Sequence, residues 1–218
     1  SSFPPMQTAK ALTEDPRWVR RVQRLVDEAA ILNEDVERTV YQAFASIPRM
    51  GFVEGCAEQH ALDDIDLPLP HGEVLTRPSI QIRMMALINL RRRMRVLELG
   101  FGSGYLCAVM AAAGAQVFGL EQNTSVAQAS RKQLDTLGMH GIVVRRGEGR
   151  KGWEDVSPFD AIVVSYPVAN ESELPLGQLA AGGSLVAPII WDGSVRLAVW
   201  TRTGEETKRV LFEKVDFR

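Results

Sequence analysis

The sequence predicts an α/β fold: a doubly wound, mostly parallel sheet of the Rossmann-like kind with a helical cover at its N-terminal end. Three observations carry this. Apolar residues recur at helical spacing through the first third of the chain, strands and helices alternate from Val96 onward, and the first of those strands runs into three glycines at alternate positions. Parallel strands need long crossover connections, and the alternation supplies them.

Asp15 followed by Pro16 starts a helix, since the carboxylate can cap the first turn and the proline lacks only an N–H that would have no partner there. Trp18, Val19, Val22, Leu25, Val26, Ala29 and Ala30 then fall on one face. Asn33 caps a second helix that turns Val36, Val40 and Phe44 inward and ends before Pro48. From Gly51 to Pro78 the pattern is irregular, with Asp63, Asp64 and Asp66 leading into Leu67-Pro68-Leu69-Pro70-His71-Gly72. A loop of this length in a compact domain is expected to be functional. Pro78 opens the next helix, carrying Ile80, Met84, Leu87 and Ile88 toward the core. Strands are expected at 96–99, 116–120, 142–145, 161–165 and 185–188, with a helix from about Thr124 to Gly138 between the second and third. Ala181-Gly182-Gly183 reads as a tight turn into the fifth strand. The last stretches, 195–201 and 210–217, form a strand pair joined around Thr203-Gly204.

The most informative stretch is Val96-Leu97-Glu98-Leu99-Gly100-Phe101-Gly102-Ser103-Gly104-Tyr105. Glycines let the backbone approach a ligand, and the N-terminus of the helix that follows offers unpaired N–H groups. A dinucleotide fingerprint would place its third glycine at position 105, where this chain has Tyr105, which argues against NAD. The second strand ends on Glu121, about where an acceptor for two ribose hydroxyls is needed. Gly-x-Gly-x-Gly with this acid reads as a site for S-adenosylmethionine, the ligand of class I methyltransferases. One domain over 1–218 is expected, with 1–90 as helical cover and substrate loop and 91–218 as the cofactor-binding core.

Composition narrows the class further. The 218 residues suffice for one sizeable core, and 45% hydrophobic content with 24% charged residues is that of a soluble globular protein. No apolar run nears the ~20 residues that span a bilayer, and Ser1-Ser2-Phe3-Pro4-Pro5 lacks a charged region followed by an apolar one, so a cytoplasmic location without membrane partners is expected. Cys56 and Cys107, the two cysteines, have no metal-type spacing and are expected as buried thiols. A net charge of −2 gives no global attraction to nucleic acid, and Arg91-Arg92-Arg93-Met94-Arg95 reads as a solvated helix end. A monomer without metal or nucleic-acid partners is expected.

Separated motifs, in one order, make the chain similar to the protein-L-isoaspartate (D-aspartate) O-methyltransferases, which repair isomerised aspartyl and asparaginyl sites in other proteins. Val22-Gln23-Arg24-Leu25-Val26 resembles part of that family's first helix, and Ile47-Pro48-Arg49-Met50-Gly51-Phe52-Val53 its V-P-R-x-x-F-V corner. Gly147-Glu148-Gly149-Arg150-Lys151-Gly152-Trp153 is similar to G-D-G-x-x-G-W, with glutamate for aspartate. Ser157-Pro158-Phe159-Asp160-Ala161-Ile162-Val163-Val164 is similar to A-P-F-D-x-I-I-V, with serine in first place. The resemblance implies that Gly100, Gly102 and Gly104 hold the methionine end of the cofactor, Glu121 the ribose hydroxyls, and Glu148 the adenine amine. Glu98 would either hydrogen-bond within the glycine turn or reach the cofactor amino group.

The family's acceptor loop, G-x-T-x-S-Q/A-P, is altered to Gly72-Glu73-Val74-Leu75-Thr76-Arg77-Pro78. Thr76 keeps a hydroxyl where the serine helps hold the acceptor carboxylate, but adds a methyl and stiffens χ1. Arg77 could pair with a substrate carboxylate or with Glu73 or a nearby aspartate. Ser165-Tyr166-Pro167-Val168-Ala169 replaces the family's small T-A-A run with a bulkier one, from which a shifted substrate range is expected. An acceptor carboxylate with a pKa of about 4 is already ionised at neutral pH, so methyl transfer needs alignment rather than a base or a metal. His60, His71 and His140 are therefore not required as bases. The expected function is methylation of isoaspartyl carboxylates in damaged proteins. The alternatives are another peptide or small-acid acceptor, or a non-catalytic cofactor-binding module.

Overall fold

The computed structural model describes residues 14–139 and 141–217; His140 lies outside them. Helices α1 (Pro16–Ala29) and α2 (Glu34–Ser46) start where their caps predict: Asp15 accepts from Arg17 N–H, and Asn33 from the N–H groups of Asp35 and Val36. Trp18, Val22, Leu25 and Val26 are buried on α1, Val36, Val40 and Phe44 on α2, and the Trp18 indole donates to Phe44 O at 2.7 Å. The irregular stretch folds into short 3₁₀ turns and a two-stranded ribbon, β1 (Leu67–Pro68) with β2 (Val74–Leu75). Helix α3 (Pro78–Leu87) opens on the expected proline.

The main sheet has seven strands among the described residues, in the order β5-β4-β3-β6-β7-β8-β9. These are β3 (Arg95–Leu99), β4 (Gln116–Glu121), β5 (Ile142–Arg146), β6 (Phe159–Val164), β7 (Leu179–Trp191), β8 (Ser194–Thr203) and β9 (Glu206–Lys214). Pairings among β5, β4, β3, β6 and β7 are parallel, and β7-β8 and β8-β9 are antiparallel. Winding runs from β3 to β5 through α4 (Tyr105–Ala112) and α5 (Thr124–Thr136), then reverses to β6 on the other side of β3. That reversal is the fold class expected of the sequence, and it opens a crevice at the carboxyl ends of the central strands.

The two faces of the sheet are covered differently. Val96, Val117, Ala161 and Val186 join one core with side chains from α1 and α2, from α3, and from the two helices between β3 and β5, whereas Leu97, Phe118, Ile162 and Leu185 pack beneath Trp153, Val168 and Leu174 from 3₁₀ turns and loops. The strand-helix alternation is thus helical only in its first half.

Two expectations are corrected. Ala181-Gly182-Gly183 lies inside β7 rather than before it: between Phe159↔Leu179 and Ala161↔Ser184 the strand absorbs extra residues as a bulge. A Cβ on Gly183 would sit 3.0 Å from the carbonyl oxygens of Phe159 and Asp160, so close backbone approach explains the glycine. Cys56 is exposed, and Cys107 alone is the buried thiol. Among the described residues no helix is long and apolar enough to cross a membrane.

Candidate functional site

The glycine turn leaves β3 and is pinned to β4, with Gly100 N–H donating to Leu120 O at 2.8 Å. Gly100, Gly102 and Gly104 have φ of 76°, 51° and 82°, a region that disfavours side chains. Their surroundings differ. Gly104 caps α4, and a Cβ there would meet Leu134 at 3.0 Å, so the packing of α5 on the turn also calls for a glycine here. Tyr105 next to it is fully buried and donates its hydroxyl to Ile47 O at 2.7 Å, which fastens the helical cover to the turn.

Glu121 ends β4 and is 6% exposed. One carboxylate oxygen accepts from Gly102 N–H at 3.2 Å and the other from Asn123 N–H at 2.8 Å, so the acid shapes both the glycine turn and the start of α5. After β5, Gly147 N–H donates to Glu121 O at 3.0 Å, bringing the Gly147-Glu148-Gly149 loop to the same rim. Gln178 holds that loop from behind, accepting from Trp153 N–H at 2.8 Å and donating to Lys151 O at 3.0 Å. A cavity of about 440 Å³ results, lined by Gly100, Glu121, Gln122, Asn123, Gly147, Gly149, Tyr166 and, from the acceptor loop, Glu73. A second, of about 260 Å³, adjoins it between Phe52, Leu69, His71, Gly102 and Val126, and Glu73 borders both.

The sequence-derived residues are brought together unequally. Gly100 and Glu121 line the larger cavity and Gly102 the smaller one. Glu148 lines neither cavity: its side chain is 43% exposed and paired with Lys151 at 3.4 Å. Glu98 is buried and engages neither the turn backbone nor a cavity: it accepts from Ser165 Oγ at 2.6 Å and from the Cys107 thiol at 3.1 Å. Burial pushes its carboxyl up to about 7, against the lowering effect of those two hydrogen bonds. Thr76 borders neither cavity. Arg77 is committed to Asp66, to which its N–H donates at 2.9 Å and its guanidinium at 3.1 and 3.3 Å, with Asp216 at 3.5 Å. Of the partners open to it in the sequence, an aspartate is the one it takes. His60 faces Asp63 at 3.0 Å, and His71 takes a left-handed φ of 64° in the loop.

Three residues were not singled out by sequence reasoning. Arg49 is fully buried, donates to Asp63 O and Ile65 O at 2.9 Å each, and so anchors the segment that presents Asp66 to Arg77. Its charge within an apolar corner was the available signal. Glu73 projects toward Glu121, and burial first, then that neighbouring charge, raise its carboxyl above the usual range. Gln178 has no local signature, because the loop it braces is distant in sequence.

The sequence matches, over residues 21–217, the family described as Protein-L-isoaspartate(D-aspartate) O-methyltransferase (PCMT). Solved structures share the fold, two of them with descriptions of the same kind. One, a protein-L-isoaspartate O-methyltransferase, aligns with a TM-score of 0.80 at 22% identity, covering 91% of this chain, which spans 64% of that one. The other, from Plasmodium falciparum and described as a protein-L-isoaspartate O-methyltransferase in complex with S-adenosyl-L-homocysteine, aligns with a TM-score of 0.77 at 21% identity, covering 93% of this chain and 97% of its own.

Proposed function

Because the chain belongs to the protein-L-isoaspartate(D-aspartate) O-methyltransferase family, we propose that it transfers a methyl group from S-adenosylmethionine to isoaspartyl carboxylates of damaged proteins. The observation that carries this reading is the cavity in which the glycine turn, Glu121 and the Gly147–Gly149 loop meet at the carboxyl ends of β3, β4 and β5. Its donor set suits the cofactor. Each Glu121 oxygen takes one backbone N–H and keeps lone pairs for a ribose hydroxyl. Gly100 and Gly102 are assigned the methionine end, with Gly104 supporting them as the helix start. Glu148 is assigned the adenine amine, for which it must exchange its exposed pairing with Lys151. Glu98, bonded to Cys107 and Ser165, is assigned the joining of the helix after the turn to the exit of β6.

When bound, the cofactor supplies an electrophilic methyl on a sulfonium. The chain's own part is positioning. An acceptor carboxylate with a pKa of about 4 is ionised at neutral pH, so no side chain has to remove a proton, and the chain's residues would only have to hold the acceptor oxygen in line with the methyl that the cofactor would supply. Thr76 is assigned a hydrogen bond to the acceptor carboxylate. Arg77, locked to Asp66, fixes the loop that carries Thr76 and contributes at most auxiliary charge. Action as a monomer on protein substrates, in the cytoplasm, belongs to the same proposal.

The test is methyl transfer to paired peptides that differ only in an isoaspartyl or ordinary aspartyl linkage. Transfer confined to the isoaspartyl peptide supports the reading, and equal or absent transfer overturns it. Within that assay, Thr76→Ser should keep activity because the hydroxyl stays, while Thr76→Val should lose it through an unpaired acceptor oxygen, with cofactor affinity unchanged in both.

A further inference from the structure

Tyr166 is the second residue beyond β6, and its backbone is set by its neighbour. Ser165 N–H donates to Leu99 O at 2.9 Å, and the Ser165 hydroxyl donates to Glu98 at 2.6 Å. Pro167 on the other side restricts Tyr166 to extended backbone. Held this way, the phenol crosses the end of β3. A Cβ on Gly100 would lie 2.6 Å from Tyr166 Cδ1 and 3.1 Å from Cε1, and one on Gly149 would collide with the Tyr166 hydroxyl. Gly100 follows β3 and Gly149 follows β5, so the side chain spans the cavity rim past the β4 end that carries Glu121. The bare faces of two glycines that could admit a ligand are in contact with the chain's own ring. Among the described residues the hydroxyl makes no hydrogen bond, and burial pushes its pKa up to about 12, so the group is a neutral phenol at physiological pH.

We infer that Tyr166 competes with the cofactor for the strip over Gly100 and Gly149, so that binding requires this side chain to move aside. The inference rests on the cofactor reading above. A site whose competent form is only part of the population binds with apparent affinity reduced by that fraction, and removing the competitor restores it. The blocking element is the ring, not the hydroxyl.

Calorimetric titration of the full chain with S-adenosylhomocysteine separates the possibilities. Tyr166→Ala is expected to bind at least about tenfold tighter than the parent, and Tyr166→Phe within about twofold of it. Should the alanine variant unfold, Tyr166→Ser repeats the test with another small side chain. Equal or weaker binding by the small variants would make the phenol part of the binding wall and overturn the inference while leaving the cofactor reading intact. Absence of binding by the parent and every variant would remove the cofactor reading and the competition with it. A crystal structure with S-adenosylhomocysteine gives an independent reading: the ring displaced from Gly100 supports competition, and the ring unmoved refutes it.

Discussion

The cavity wall formed by β3, β4 and β5 consists of strand ends, glycines and one buried acid, whereas the facing wall, from residues 51–78 and the exit of β6, consists of long side chains on irregular backbone. The first wall is held by main-chain bonds such as Gly100 N–H to Leu120 O and Gly147 N–H to Glu121 O. The second depends on side-chain chains of support: Arg49 holds the carbonyls of Asp63 and Ile65, and Asp66 holds Arg77. Backbone geometry tolerates few alternatives, so the first wall keeps the family's glycines. Side-chain support can be rebuilt with other residues, and Tyr166 in the second wall and Thr76 and Arg77 in the loop behind it are where the chain departs from the family's pattern.

Glu98 ties the two walls together, through Cys107 behind the glycine turn and Ser165 before Tyr166, and changing it should give the largest effect. Burial pushes its carboxyl up to about 7 in the fold from an ordinary 4.5, so the folded state holds this proton more tightly than the unfolded state does. That advantage is full below about pH 4.5 and is lost as pH rises through about 7. At about 1.4 kcal/mol per pH unit, Glu98→Gln should be spared a loss of about 2 to 3 kcal/mol that the parent suffers between pH 5 and pH 8. Urea unfolding of both proteins at the two pH values measures it. Parallel profiles would mean that Glu98 is charged in place and that the walls are joined by an ionised group.

On the first wall alone, Glu121→Ala should weaken cofactor binding at least about tenfold, roughly 1.4 kcal/mol. The carboxylate also holds Gly102 N–H, so the turn loosens as the ribose acceptor is lost. Calorimetry with the cofactor is the measurement, and unchanged affinity would dissolve the distinction between the walls by taking its best-placed acid out of the site. Circular dichroism of the variant separates a loosened turn from an unfolded chain.

The contrast also explains what could be read from the sequence. The glycine turn, the acid at the end of β4 and the capped helices α1 and α2 are local signals, each set by residues within a turn or a strand of one another. Tyr166 could be recognised as too large for its motif position, but its contact with Gly149 requires β6 and the β5 loop to approach across β3, which no local pattern states. Glu98 shows the same limit, since a strand acid looks alike whether it faces a ligand or, as here, a serine 67 residues away. Gly182-Gly183 misled because glycines mark bulges as well as turns, and the register against β6 decides between them. The Asp192-Gly193 pair, both residues with positive φ, was the clearer turn signal and joins β7 to β8.

The smallest effect tests the second wall. Glu73 reaches from the acceptor loop into the cavity that Glu121 also lines, and burial and the Glu121 charge together raise its carboxyl. A carboxylate there repels an incoming acceptor carboxylate, modestly, because the site is open to solvent and screened. Glu73→Gln should therefore lower KM for an isoaspartyl peptide by about two- to fivefold with kcat nearly unchanged, since the repulsion acts on the bound acceptor and its transition state alike. The parent's KM should also fall as pH is lowered, setting in at higher pH than an ordinary glutamate would allow because its carboxyl is raised, and the glutamine variant should lack that part of the trend. Steady-state kinetics at fixed ionic strength resolves both. A higher KM in Glu73→Gln would mean that the carboxylate attracts part of the substrate, and the second wall would then be read as built for a peptide carrying positive charge beside its isoaspartyl group.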